Sequence, residues 1–200
     1  MSLRTLTSTV LFCLAAQTVA VGQYAQQAPQ AQEKLYILGG VRDLHQAASY
    51  TVNNVGDVDF SGEETFVGGL EFLTHDSQFG LEVGAFYSNS RTRGTLGLNR
   101  VDVDLTMFEM TVGGRYTMEE FGDLKPFVGG GADFIFYETD VDRNSFSTSL
   151  DRYDFGLYAH TGAHYHFDEE FSIGFDVRGL FGTADNLDYV QYAAVVGFSF

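Results

Sequence analysis

Apolar and polar residues alternate with a period of two through most of the chain from Lys34 to Phe200, which predicts β-strands with one apolar and one polar face. The stretch 171–178 is the clearest: Phe171, Ile173, Phe175 and Val177 share one face, and Ser172, Gly174, Asp176 and Arg178 the other. In 189–200, Val190, Tyr192, Ala194, Val196, Phe198 and Phe200 fall together, against Gln191, Ala193, Gly197 and Ser199. In 153–167, Tyr153, Phe155, Leu157, Ala159, Ala163, Tyr165 and Phe167 oppose Asp154, Gly156, His160, Gly162, His164 and His166. The stretch 79–88 alternates cleanly except at Phe86, which breaks its polar face. Noisier stretches lie at about 35–43, 65–74, 101–118 and 126–139. In 101–118 the apolar residues move from odd positions (Val101, Val103, Leu105, Met107) to even ones (Phe108, Met110, Val112), which predicts a β-bulge near Met107 and Phe108.

Eight such stretches are separated by connections that alternate in length. Residues 44–64, 91–100 and 140–149 form the longer set, 75–78, 119–125 and 168–170 the shorter, and 183–188 is intermediate. That rhythm predicts an antiparallel up-and-down meander, and eight strands of this kind close into a barrel with no exposed edge. Period two alone leaves open which face points inward. A soluble lipocalin-like carrier of a hydrophobic ligand would be apolar inside.

Composition favours apolar outside. The polar face carries both signs of charge and many of the 23 glycines, which suits a narrow wet lumen better than a solvated exterior. Aromatics on the apolar face gather near the strand ends. Phe79, Tyr116, Tyr165, Phe167, Phe171, Phe198 and Phe200 lie toward the short turns, and Tyr87, Tyr153 and Phe181 toward the long loops, as two interfacial girdles would. The net charge of −16 argues against nucleic acid as a partner and against a basic membrane-surface anchor.

Residues 1–20 have Arg4, an apolar core from Val10 to Ala16 and the small-residue exit Thr18-Val19-Ala20, the layout of a secretory signal peptide. Cleavage there removes Cys13, the single cysteine, so the mature chain has no disulfide staple. The Gln- and Ala-rich residues 21–33 read as a flexible leader, and 34–200 as the barrel domain.

With Pro126-Phe127-Val128-Gly129-Gly130-Gly131, the terminal Val196-Gly197-Phe198-Ser199-Phe200, the export signal and the loop rhythm, the chain resembles the small eight-stranded outer-membrane barrels, the group of the OmpA membrane domain and OmpX. The resemblance implies an all-β, eight-stranded antiparallel transmembrane β-barrel in the outer membrane of a Gram-negative bacterium, with a structural or surface-interaction role. It also implies that the barrel-assembly machinery reads Tyr192, Phe198 and Phe200. The implied partners are outer-membrane lipid, lipopolysaccharide and an extracellular ligand held by the loops.

If parity holds, Arg42, Glu71, Glu82, Glu109, Arg115, Asp133, Asp176 and Arg178 face the lumen, with His160, His164 and His166 beside them. Three Arg face five carboxylates, and protonated histidines would supply the missing positive charge. Such a network serves as a packed plug, a narrow low-conductance pore or a gate; eight strands enclose just enough room for side chains to fill, which favours the plug. Arg91, Arg93 and Arg100 make the second long loop locally basic and are candidate contacts for lipopolysaccharide phosphates. No catalytic constellation is legible. His160-Thr161-Gly162 and His164-Tyr165-His166 lack the serine of a lipid A deacylase barrel, and Asp140-x-Asp142-x-Asn144 has Ser145 where a calcium loop needs glycine. No metal or cofactor is expected.

Overall fold

In the computed structural model the described residues are 32–44, 50–52, 56–58, 64–76, 78–96, 99–119, 121–143, 146–185 and 187–200. The predicted signal peptide and most of the predicted leader lie outside them. Ten strands follow in chain order: β1 (Gln32–Leu44), β2 (Tyr50–Val52), β3 (Gly56–Val58), β4 (Glu64–Asp76), β5 (Phe79–Leu96), β6 (Asn99–Thr117), β7 (Leu124–Arg143), β8 (Phe146–His166), β9 (Phe171–Phe181) and β10 (Tyr189–Ser199). β1 and β4–β10 form a closed eight-stranded antiparallel barrel. β2 and β3 make a separate two-stranded sheet within the first long connection, where the alternation predicts loop. The seam pairs β1 with β10 from Lys34↔Ser199 to Leu44↔Tyr189.

Among the described side chains, facing follows the pleat. Lipid-facing positions are apolar and exposed, including Ile37, Leu70, Leu81, Phe134, Leu157, Ile173 and Phe175. An apolar-inside carrier is therefore excluded, because such a fold would bury these side chains. At the short-turn end the outward rings touch in succession: Tyr165 to Phe167 at 5.1 Å, Phe167 to Phe171 at 5.7 Å and Phe171 to Phe198 at 5.8 Å between centroids. Phe79 and Tyr116 meet at 4.8 Å farther round the same rim. At the other end Phe66 and Tyr153 stand out, each more than four-fifths exposed.

Two expectations are corrected. No bulge interrupts β6: its register against β5 runs unbroken from Phe79↔Tyr116 to Leu96↔Asn99, through Tyr87↔Phe108 and Ser88↔Met107. Odd residues of β6 point inward along its described length, and Leu105 and Met107 are buried inside the barrel. What changes at Phe108 is the lumen, uncharged above, where Leu105 lies level with Ser90 and Thr139, and charged below, so the apolar residues change face while the chain keeps its phase. Second, most of 91–100 and 140–149 is strand, as β5–β6 and β7–β8 run on as hairpins with only 97–98 and 144–145 between them. β5 to β8 are 18 to 21 residues long, well beyond the roughly 9–11 needed to cross a bilayer.

The opposite rim is built from short turns. In 167–170 the Asp168 carboxylate accepts from the backbone N–H groups of Glu170 (2.9 Å) and Phe171 (2.7 Å). The 118–123 turn uses Gly122 at φ 69°, a left-handed conformation that favours glycine.

Candidate functional site: the ion-paired lumen

The lumen is organised in layers along the barrel axis. Leu44, Leu105, Met107, Ile135 and Leu187 are buried toward the long-loop end. Leu187 comes from the 182–188 connection, which is tied down by its own polar groups. Its N–H donates to the Thr183 hydroxyl (2.7 Å), the Thr183 hydroxyl donates to Asp188 (2.8 Å), and the Asp154 carboxylate accepts from the Asp185 N–H (2.9 Å). Tyr137 donates its hydroxyl to Asp185.

Arg42 lies at the centre of the first charged group. Its guanidinium meets Glu109 through two bonds, Nη1 to Oε1 at 3.0 Å and Nη2 to Oε2 at 2.5 Å, the fork geometry that suits a carboxylate. Nη1 also donates to the Ser88 hydroxyl (3.1 Å) and Nη2 to Gln191 Oε1 (2.9 Å). The Tyr189 ring lies 3.8 Å from the guanidinium carbon, and its hydroxyl donates to Glu109 at 3.3 Å.

The second group centres on Glu71, whose carboxylate is shared by two guanidiniums: Arg115 on Oε1, and Arg178 on Oε2 at 2.5 Å. Arg115 Nε donates to Glu82 at 3.0 Å, and the Tyr158 hydroxyl donates to the other Glu82 oxygen at 2.6 Å. His160 lies between two carboxylates, Nδ1 2.6 Å from Asp176 and Nε2 2.9 Å from Glu82. Arg178 also stacks over Phe86 (4.4 Å) and Tyr158 (4.8 Å), and Arg115 over Phe127 (4.3 Å). Aromatic faces thus cover guanidinium surface that hydrogen bonds do not reach.

Asp133 stands apart. It is fully buried, and neither oxygen has a hydrogen-bond partner among the described residues. The other four lumen carboxylates each contact a guanidinium, an imidazole or both.

The three histidines do not act alike. His160 joins the ion pairs, whereas His164 stacks on Tyr36 at 4.5 Å and on Phe127 at 4.8 Å, with no carboxylate partner among the described contacts. His166 sits at the short-turn end of β8, opposite Ser172. His160 is therefore the histidine that these contacts place against carboxylates. Glu71, Glu82 and His160 place ligand-type atoms within 4.8 Å of one another, a spacing that a metal ion could bridge. Arg115 and Arg178 already hold these carboxylates, so a metal would have to displace guanidinium from buried ion pairs.

Sequence pattern missed the aromatic half of the site. Tyr36, Phe127, Tyr158 and Tyr189 are lumen residues, and nothing but parity marks them. Phe86, which breaks its polar face, was the visible signal. Inward glycines make room for these rings: a Cβ at Gly113 would collide with the Tyr158 hydroxyl, at Gly129 with His160, and at Gly69 with Phe86.

Of the basic residues near the second long connection, Arg91 pairs with Asp104 at 3.1 Å and is half-exposed. Arg93 and Arg100 lie in strand, with side chains outside the described set. Tyr192, Phe198 and Phe200 are exposed on the lipid side.

A closed eight-stranded barrel, apolar outside and ion-paired inside, defines an integral outer-membrane protein. The chain belongs to the family of the outer membrane protein beta-barrel domain, whose model matches residues 11–200. OprG of Pseudomonas aeruginosa has a similar fold, with a TM-score of 0.66 at 16% identity, covering 85% of this chain and 96% of that one. Ail of Yersinia pestis, solved with the heparin analogue sucrose octasulfate, gives a TM-score of 0.56 at 13% identity over 86% of this chain and all of that one. Among curated proteins, the Uncharacterized outer-membrane protein y4mB of Sinorhizobium fredii is 26% identical over 137 residues. That match covers 66% of this chain and 58% of the relative, so the chain spans less than two thirds of that relative's length.

Proposed function

We propose that this outer-membrane barrel is a closed, non-catalytic envelope protein whose lumen is a structural plug and whose outward role is carried by its extracellular hairpins. The observation that supports this most is the cross-lumen ion pairing. Arg42 of β1 reaches β5, β6 and β10, and Glu71 of β4 binds guanidiniums from β6 and β9, so cross-links fill the bore at two levels. Purified protein in planar bilayers is expected to show no resolved single-channel steps. The double variant Asp176→Ala/Arg178→Ala removes one pair from the lower group and should open measurable conductance. If the unaltered barrel conducts in discrete steps, the plug reading fails and the pore reading replaces it. The unpartnered Asp133 is the observation that favours that second reading, as a carboxylate facing a narrow path for cations.

We assign the assembly signal to Tyr192, Phe198 and Phe200. Support comes from the placement of Phe200, whose N–H donates to the Glu33 carbonyl across the β1–β10 seam (3.1 Å) while its ring projects outward. Phe200→Ala is expected to lower the amount of folded barrel in the outer membrane severalfold, with unfolded chain accumulating in the periplasm. Equal yield of the heat-modifiable folded band would remove the assignment. The 1–20 segment is assigned as the signal peptide on its composition.

A further inference from the structure

Of the five lumen carboxylates, Asp133 alone stands outside the ion pairs among the described contacts, and the groups around it are oxygens. Across the β5–β8 wall the register reads Gly84↔Thr111↔Asp133↔Gly156, with Thr111 and Asp133 both buried on the inner face. Both Asp133 oxygens and the Thr111 hydroxyl oxygen are buried without a hydrogen-bond partner among the described residues. The Tyr189 hydroxyl, which donates to Glu109 at 3.3 Å, lies beside Asp133 as well. The flanking glycines keep the wall bare there: a Cβ at Gly84 would stand 2.5 Å from the Thr111 oxygen.

The guanidiniums within reach are engaged elsewhere. Arg42 gives both nitrogens of its fork to Glu109, so that pair cancels. Arg178 is turned to Glu71 and held against the Phe86 and Tyr158 rings. Its Nε and Nη1 are unpaired, yet neither bonds Asp133. The lower group has no guanidinium to spare, with Arg115 and Arg178 set against Glu71, Glu82 and Asp176. The Asp133 carboxylate is therefore left with one uncompensated negative charge, which is costly so far from water.

A positive charge from outside the chain can meet it as a proton or as a metal ion. A carboxylic acid would pass its hydrogen to a neighbouring oxygen, but no hydrogen bond joins Asp133 to Thr111. Oxygens set side by side without bonding to one another are the donor set a hard cation collects. One carboxylate with neutral hydroxyls balances a single charge, and a divalent ion would leave a positive charge over. The cluster of Glu71, Glu82 and His160 differs, because two guanidiniums already hold its carboxylates.

We propose that Asp133, Thr111 and Tyr189 hold one monovalent metal cation, of the sodium or potassium class, beside the Arg42–Glu109 pair. The ion completes the charge of the upper group. It goes beyond the plug reading and does not depend on it, since a resident ion fits a sealed bore and an open one.

The test is the urea midpoint of the purified barrel in detergent at fixed ionic strength, with sodium or potassium chloride replacing tetramethylammonium chloride in steps. A cation held only by the folded state raises the midpoint as its concentration rises. The unaltered barrel should show a saturable rise with at least one of the two metal salts. Thr111→Val removes one oxygen and should raise the half-saturating concentration about tenfold, the equivalent of about 1.4 kcal/mol. Asp133→Asn should abolish the cation dependence, and the exposed Asp151→Asn should leave it unchanged. The heat-modifiable shift confirms that each variant is folded; if Asp133→Asn does not fold, Thr111→Val and Tyr189→Phe decide. An unaltered barrel indifferent to the cation overturns the proposal, and a midpoint kept or raised in Asp133→Asn would then assign a proton to Asp133. A dependence that survives unchanged in all the folded lumen variants also overturns it. Conductance steps from the same preparation count against the plug alone.

Discussion

Arg178→Ala should be the most damaging single substitution in the barrel. Arg178 is fully buried, holds one oxygen of Glu71, lies 3.8 Å from Asp176, and stacks on Phe86 and Tyr158. Its removal leaves Glu71 with Arg115 alone and Asp176 with His160 alone, inside a wall where water is scarce. Breaking a buried pair by deleting one partner costs about 3–5 kcal/mol, much of it the penalty of the carboxylate left behind. Arg178→Met, which keeps the volume but not the charge, should be nearly as damaging, because the lost charge matters more than the lost packing. The measurement is the urea midpoint of the purified barrel in detergent, followed by loss of the heat-modifiable band. An unchanged midpoint for both variants would show that the ion pairs are not what holds the lumen. This result is separate from the conductance experiment: a barrel that conducts and is destabilised has lost both its plug and its brace.

The second large effect comes from the other face of the same strand. Phe175 is near the middle of β9 and half-exposed to lipid, one residue from Asp176, which is buried in the lumen. Phe175→Arg should cost about 2–4 kcal/mol, the penalty for a cation at the mid-depth of a barrel's lipid face. The same substitution at Phe167, beyond the end of β8 and close to the interface, should cost about 0–1 kcal/mol. Measuring both by reversible unfolding in lipid vesicles checks the facing and the depth together. Equal costs at the two positions would contradict the assigned membrane span.

Much of this architecture was legible because the pleat is strict. In β9, β10 and the part of β8 from Tyr153 on, every second residue is lipid-facing, and a run such as Phe171-Ser172-Ile173-Gly174 states its facing without a structure. The carboxylates and arginines of the lumen followed from the same parity. What could not be read was anything depending on height in the barrel. Leu105 and Met107 face inward into an uncharged layer, whereas Glu109 two residues on faces inward into charge. The sequence pattern at that point mimics a bulge, since binary patterning registers polarity and not direction. The long hairpins resemble loops in sequence for a related reason. Outside the bilayer a strand has no lipid to face, so residues 91–95 of β5 and 147–149 of β8 lie in strands without any apolar alternation to reveal them. The stacking of Arg115 and Arg178 on rings was hidden too, because Tyr36, Phe127 and Tyr158 look like lipid-facing aromatics until the parity of their neighbours is applied.

The ion pairs of the lumen join residues far apart in the chain, and this bears on how the barrel forms. Arg42 finds Ser88, Glu109 and Gln191, separations of 46, 67 and 149 residues, and the last of these lies on the strand that closes the seam. A half-built sheet of β1 and β4–β8 would carry Arg42 without Gln191 and Tyr189, and Glu71 without Arg178. Intermediates of this kind gain little from their interior, and most of the reward arrives when β9 and β10 dock. Folding should therefore be slow and all-or-none, in keeping with its dependence on distant contacts. The chain is committed only at its last strand.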